Sequence, residues 1–538
     1  MKQTTSTPSL SFEHLGKMMA SHWQTVNDGR QSSKVKHQLA DVVLSAFACM
    51  FFQYPSLLSF QRALEDEQHQ NNLRTLFHIA SIPSDTQMRD ILDPIDTEHH
   101  RPVFKQWHQC LEEMDVIKSF SVLGGYSYCP IDGTQFFDTQ NERCHCKHCL
   151  VKRYQGYQQV ILLAENSALP KKSKRLPHAI YLLPHTALAI TAYWTEQKKL
   201  MTKTLSLQQL ATLSDLPPFP SSVEKTVIID KEQDFALVEQ VVSLCGCEYA
   251  ENIVHYSHHV LQAAIAHPDK KQVLALMPEF IQNQDGATKQ DCERNAAKRL
   301  TSHLKKDFPR RNWLIGGDSL YANQPFIEHI TTLSMHYLVG LKFTDHPYLQ
   351  EWLATYKSLP NIQVKDTQGR LHRYTWQQQV PLHGGKETIL VNYLHYELVC
   401  IDKQGHEKIT YQSRWITDLP VNARTVKELV TVARRRWSLE NECFNTCKNQ
   451  GYELSHNYGH GQENLSNHFY LLTMLAFLQH QILFLSDELF IELRQATYTL
   501  VNFWNTFRAY INAFIFQSWQ HLLQALLKPS HYFIIRAP

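Results

Sequence analysis

The chain carries almost no net charge: 53 lysines and arginines stand against 51 aspartates and glutamates in 538 residues. Bulk charge therefore says nothing about a polyanionic partner, and only local clusters can. A secretion signal is missing too, because Met1-Lys2-Gln3-Thr4-Thr5-Ser6 is polar and no signal-peptide core follows. Long uninterrupted apolar runs are lacking. Val42 to Phe52 is too short for a bilayer, and Gln479, His480 and Gln481 interrupt Phe469 to Leu485. Twelve cysteines without a secretion signal argue for cytosolic thiols or a metal site over a disulfide framework. The expectation is a soluble, cytoplasmic protein long enough for several domains.

Residues 1–120 read as helical. Asp41 to Phe52 is an apolar helix, and an amphipathic run from Leu57 to Glu67 follows Pro55. Ser84-Asp85 is a cap for a helix carrying Met88, Ile91 and Leu92, and Phe104 to Met114 follows Pro102. Short helices of this kind fit a helix-turn-helix-like unit that binds DNA ends and equally a plain bundle, and the plain bundle is the reading unless something downstream requires DNA.

Two later segments deliver an aspartate at the end of a β-prone run. The first is Tyr128-Cys129-Pro130-Ile131-Asp132-Gly133-Thr134-Gln135, in which Asp-Gly alone would mark only a turn. The second is Trp313-Leu314-Ile315-Gly316-Gly317-Asp318-Ser319-Leu320-Tyr321, whose two glycines permit close approach. Before it lies a basic helix, about Lys289 to Lys306, a solvated face by default and a phosphate-facing one beside strand-end aspartates. A third segment, Arg434-Arg435-Arg436-Trp437-Ser438-Leu439-Glu440-Asn441-Glu442, continues to Lys448 and reads as one helix. Its Arg436–Glu440 pair, taken alone, is a surface ion pair worth a few tenths of a kcal/mol.

Two strand-end aspartates and a glutamate on a late helix form the oxygen donor set that hard divalent ions require. Such ions support in-line displacement at phosphorus. Together with Phe444-Asn445-Thr446, Lys448-Asn449-Gln450-Gly451-Tyr452 and His456-Asn457-Tyr458-Gly459-His460-Gly461, these motifs make the sequence resemble a DDE transposase of bacterial insertion sequences. The likeness is to the group whose glutamate helix carries a Tyr-Arg-Glu-Lys pattern.

That resemblance implies an α/β fold: an RNase H-like catalytic domain, with a mixed central sheet flanked by helices. It implies cleavage at element ends with Mg2+ or Mn2+, strand transfer by the freed 3′-hydroxyl, and double-stranded DNA as partner. A homodimer is expected in the working complex, in a nucleoid-associated setting. Asp132, Asp318 and Glu440 would be the catalytic metal ligands, and Arg435, Arg436 and Lys448 the DNA contacts. Glu442, two residues on, points roughly 200° away from Glu440 on an α-helix. The chain departs from the pattern at two positions. The tyrosine falls at Ala433, and the lysine falls at Cys447, with Lys448 one place late. A catalytically silent DNA-binding derivative and a metal nuclease that cuts without joining are the alternatives.

Residues 121–150 and 253–345 would form the first part of the core, and 151–252 an inserted subdomain. Its strand-like pieces are Gln159 to Ala164, Ala179 to Leu183 and Thr226 to Ile229; a basic patch, Lys171-Lys172-Ser173-Lys174-Arg175, and a loop, Pro217-Pro218-Phe219-Pro220, accompany them. Residues 346–420 read as a β-rich insertion with strands Ile362 to Lys365, Leu371 to Trp376, Thr388 to Leu394, Glu397 to Ile401 and Ile409 to Ile416. Residues 421–485 would return to the core, and 486–538 to helices whose aromatics suit a core better than a stacking platform. Cys144, Cys146 and Cys149 are dense enough for structural zinc, with Cys129 or a histidine as fourth ligand and Cys245 or Cys247 as a further contributor. The competing reading is a reduced-thiol loop, since no second CxxC lies at zinc-ribbon spacing. His456 and His460 read as loop residues because Gly459 and Gly461 oppose a helix.

Overall fold

The computed structural model describes residues 9–65, 72–139, 146, 149–155, 159–162, 169, 179–186, 189–196, 199–206, 252–282, 292–401, 406–455 and 458–532. Two compact units emerge, one of residues 1–137, 145–149 and 258–538, the other of 138–144 and 150–257.

The larger unit is built on a mixed sheet. Its strands in chain order are β1 (Tyr126–Thr139), β2 (Asn252–Ile265, whose later half belongs here), β3 (Glu279–Ile281), β4 (Trp313–Gly317) and β5 (His336–Gly340). Then come β6 (Asn361–Lys365), β7 (Leu371–Pro381), β8 (Leu390–Ile401) and β9 (Glu407–Thr417). The spatial order is β3-β2-β1-β4-β5-β9-β8-β7-β6. β1, β4 and β5 are parallel neighbours at its centre, and all five residues of β4 are buried, as a strand covered on both faces requires. β9 pairs antiparallel with β5, so the β-rich segment extends the same sheet. This is the mixed α/β class expected.

One detail differs from expectation. Thr388 to Leu394 and Glu397 to Ile401 are not two strands but the single β8, paired along its length with β7 and β9. His395 and Tyr396 between them are not turn formers, and Tyr396 is fully buried.

The N-terminal helices form because their caps and stripes agree. Leu39–Phe51 is buried on every side, and its Asp41 accepts from the backbone N–H groups of Ala80 and Ser81. Ser84 and Gln87 close a capping box on Asp85–Leu92, and Pro102 opens Arg101–Glu113. The helix Leu465–Ser486 is long and apolar enough to cross a membrane, but 78% of its most apolar window is buried in the fold. Its polar groups find partners there: Gln479 donates to the carbonyl of Phe12, and Tyr470 to Gln262. The C-terminal aromatics are core, as read. Trp504, Phe507 and Trp519 pack with Phe490, and Trp519 stacks on Phe12. Among the described residues the exceptions are Tyr498 at 96% exposed, Phe514 at 40% and the half-buried Tyr510.

In the smaller unit Gln159–Leu162 lies parallel to Ala179–Thr186, which continues antiparallel into Ala189–Glu196 and Lys199–Ser206. The patch at Lys171 to Arg175, the prolines at 217 to 220, Thr226 to Ile229, Cys245 and Cys247 lie outside the described residues.

Buried imidazoles set a pH response. His468 donates through Nε2 to the carbonyl of Ile95 at 2.8 Å and accepts through Nδ1 from His100 at 2.9 Å, which defines it as neutral. Burial pushes His468 down to about 4, and burial aided by Arg311 pushes His108 down to about 3. Both lie below the unfolded value of 6.5, so the unfolded chain takes up protons first as pH falls. Their contribution is present above pH 6.5 and is lost as pH falls through about 4 for His468 and about 3 for His108. The denaturation midpoint should therefore drop across that window, and His468→Gln should flatten the slope; an unchanged slope would remove His468 as a cause.

Candidate active site

β1 and β4 run in parallel register from Trp313 opposite Ser127 to Gly316 opposite Pro130. Two positions further along each chain stand Asp318 and Asp132. The parallel register therefore brings the two aspartates to the same end of neighbouring strands. Each carboxylate is held by its own turn: Oδ1 of Asp318 accepts from Leu320 N at 2.8 Å, and Oδ1 of Asp132 from Gly133 N at 3.0 Å. The paired glycines before Asp318 do permit close approach, and what approaches is aromatic. A Cβ on Gly316 would meet the Tyr128 ring, and one on Gly317 the Tyr321 ring.

The third acid arrives on a segment that is not one α-helix. Val426–Arg434 is α-helical, Arg435 and Arg436 form a turn, Leu439–Phe444 is π-helical, and Asn445–Asn449 is α-helical again. Nη1 of Arg436 is shared, lying 3.1 Å from Oδ2 of Asp132 and 2.6 Å from Oε1 of Glu440. Glu442 instead acts on Arg435, whose guanidinium donates to the carbonyl of Lys270. Arg435 thus points away from the acids. It lines an open concavity with Pro268, Tyr411, Arg434 and Trp437, the last 51% exposed.

The π segment answers the question posed by Lys448. A π-turn closes on i+5 in place of i+4 and so absorbs one extra residue. Cys447 is rotated into the core, fully buried, and Lys448 comes onto the acid side, its Nζ donating to Oγ1 of Thr134 at 2.6 Å. Ala433, at the family tyrosine's position, is buried and supplies no polar group.

A fourth carboxylate was missed by sequence reasoning. Glu293 opens the basic helix Glu293–Asp307 and accepts from the Tyr321 hydroxyl at 2.5 Å. Its only signal was its place at the start of that helix. Of the helix's cations, Arg299 is used structurally, donating to Glu279 at 2.6 Å and to the carbonyl of Phe280; Lys289 lies outside the described residues. Burial pushes the Asp132 carboxyl up to about 7; Arg436 pulls it down, while Glu440 and Glu293 push it up. Burial also raises Glu293, with the Tyr321 hydroxyl opposing and Asp318 adding.

The donor set fits a hard divalent cation: carboxylate oxygens only, one of them driven toward its neutral form by burial with the neighbouring acids adding. In this state the Arg436 guanidinium holds the place between Asp132 and Glu440. The three predicted acids do not close to a coordination sphere as they stand. Among the described residues, the ligand atoms that lie within 4.8 Å of one another are those of Cys146, Cys149, His258 and His460. Of the thiols expected together, Cys146 and Cys149 converge, Cys144 lies outside the described residues, and Cys129 is buried in β1 and is not part of the group. His258 was not foreseen. His460, read as a loop residue, is indeed in a loop but faces the thiols; His456 lies outside the described residues.

Residues 266–478 match the transposase DDE domain family, and residues 20–108 match the DDE_Tnp_1-associated family, together more than half of the chain. Asp318 and Glu440 fall inside the first match and Asp132 before it. Among solved structures, a piggyBac transposase synaptic complex with hairpin DNA shows 8% identity and a TM-score of 0.35, over 99% of this chain and 84% of that one. No curated protein matches the chain.

The glycines before Asp318 give a direct test of how the site is built. Gly317→Ala should destabilise by about 1–3 kcal/mol in a denaturant titration, because the added methyl enters the space of a buried ring. Gly16→Ala, in the helix Phe12–Thr25 with nothing within 4 Å of the new Cβ, should be neutral or stabilising. Equal effects at the two positions would sink the packing account.

Proposed function

From the premise that this chain belongs to the DDE transposases, and so is a DNA transposase, we propose that Asp132, Asp318 and Glu440 are its catalytic acids. The observation that carries this is the shared Arg436 guanidinium, which joins Asp132 on β1 to Glu440 on the late helix beside the strand end bearing Asp318. The family generally uses divalent metal ions; Mg2+ is the ion proposed here, held by the three acids with Glu293 close by. When bound, such ions assist the attacking oxygen and stabilise the leaving oxygen of a phosphodiester. The chain's own contributions follow from its geometry. Asp132, driven toward its neutral form by burial, would lose its proton and ionise to hold a cation bound there. Arg436, released from its two carboxylates, is placed to donate two parallel hydrogen bonds to a phosphate next to the scissile bond. Lys448, beside Thr134, supplies a second cation on that face. Arg434, Arg435 and Trp437 line a separate concave surface suited to the DNA backbone away from the acids.

The proposed substrate is the ends of a bacterial insertion sequence, joined through the freed 3′-hydroxyl to a target by a homodimer, at the cytoplasmic nucleoid. The absent tyrosine at Ala433 withdraws support for a hairpin step and leaves the cleavage chemistry untouched.

The test is cleavage and joining of end-bearing duplex by purified protein with Mg2+. Asp132→Ala, Asp318→Ala and Glu440→Ala should each lower cleavage by roughly 1,000-fold or more, as removal of essential catalytic groups does. Glu442→Ala should stay within a few-fold of the parent. Wild-type rates in the first three variants overturn the assignment, and cleavage without joining selects the nuclease reading. Separately, Lys448→Ala should reduce the slope of log affinity against log salt by about 1, as loss of one phosphate contact does; an unchanged slope removes Lys448 from the DNA interface.

A further inference from the structure

We propose that Cys146, Cys149, His258 and His460 form a structural zinc site of the Cys2His2 type. The four ligand atoms lie within 4.8 Å of one another. Sγ of Cys146 is 3.3 Å from Nε2 of His258 and 3.5 Å from Nε2 of His460, and Sγ of Cys149 is 3.2 Å from the same His460 nitrogen. In a zinc tetrahedron with Zn–S about 2.3 Å and Zn–N about 2.0–2.1 Å, the sulfur–nitrogen edge is about 3.5 Å. The edges therefore already have the required size.

Hydrogen bonding around the group supplies the second argument. Nδ1 of His460 lies 2.7 Å from the carbonyl of Gly461, so Nδ1 carries the proton and Nε2 presents its lone pair to both sulfurs. Nδ1 of His258 is bonded to Oγ of Ser466 at 2.6 Å, again leaving Nε2 toward the thiols. Ligating imidazoles are oriented in this way by outer partners, and two thiolates with two imine nitrogens are a borderline-soft donor set suited to zinc. Gly459 and Gly461, both at positive φ, turn the loop so that His460 faces inward.

All four ligands belong to the larger unit. Cys149 immediately precedes residues 150–257 in the chain and His258 immediately follows them. The ion thus ties together the chain on either side of that segment and the loop that leads into Leu465–Ser486. Phe137, five residues beyond Asp132 on β1, packs its ring 4.8 Å from His460 and 5.2 Å from His258. The role is structural, because four protein ligands leave no open position for substrate.

The experiment uses the full chain, purified under reducing conditions without chelator. Elemental analysis should find about one zinc per chain, consistent with a closed four-ligand site. After exchange into cobalt, the protein should show tetrahedral d–d bands and a thiolate-to-cobalt charge-transfer band. Cys146→Ser and His460→Gln should each lose most of the zinc, while Cys129→Ser keeps it. Should the variants fail to fold, the cobalt spectrum of the parent protein decides alone. Absence of stoichiometric zinc together with absence of the tetrahedral thiolate spectrum, a Cys146–Cys149 disulfide in the reduced preparation, or zinc loss in Cys129→Ser with retention in Cys146→Ser overturns the proposal. None of these readouts depends on transposase activity.

Discussion

Like charges must be brought together at the sheet's centre, and everything else in the site follows from how that repulsion is offset. Asp132, Asp318, Glu293 and Glu440 converge where dielectric screening is weak, and Asp132 responds by favouring its neutral form. A guanidinium shared between two of them is the fold's own answer. Removing one partner of such a half-buried pair leaves a charge stranded, which is costlier than the pair is stabilising. Arg436 therefore serves the folded protein as it stands, and the phosphate contact proposed for it would require its release from both carboxylates. The rest of the acids' support is rigid. Parallel register fixes the two aspartates, and buried aromatic rings press on the glycines that precede Asp318.

The π-helical turn is the second element on which the geometry depends. A regular α-helix through Glu440 would leave Lys448 about 80° from the acid-facing side. One widened turn between Leu439 and Phe444 shifts everything after it by a residue, so that Cys447 faces the core and Lys448 faces Thr134. Such bulges are costly in backbone hydrogen bonding and persist where a function keeps them. Here the observable consequence is a lysine in the place where one-residue-earlier spacing would have put a buried cysteine.

What could be read in the chain and what could not divides along contact range. Asp132, Asp318, and the Arg436–Glu440 pair were legible because each announces itself locally, by a strand ending in an acid or by a four-residue step. The same held for the helix cap at Ser84. Glu293 was hidden because its approach to Tyr321 and Asp318 is made by tertiary packing, and on its own helix it looks like an ordinary first-turn acid. The four-residue step to Glu440 singled out Arg436, whereas the turn of Arg435 toward Lys270 is set by tertiary packing and has no local signal. β8 was read as two strands, whereas its pairing with β7 and β9 on both sides keeps it continuous.

The cysteine–histidine group shows the same division and explains why it matters to the acids. Cys146 and Cys149 are near neighbours, but His258 and His460 come from distant parts of the chain and are adjacent only once β2 and the loop before Leu465 are in place. Closing long loops is entropically expensive, and a few strong bonds at their ends offset that cost more economically than many weak contacts. The loop at Gly459–Gly461 has little apolar surface of its own. It is anchored by Asp93, whose carboxylate accepts from the backbone of Gln462, Glu463, Asn464 and Leu465, and by the packing of Phe137 on His460. Phe137 stands on β1, the strand that carries Asp132. A constraint on His460 is therefore also a constraint on the strand that carries Asp132.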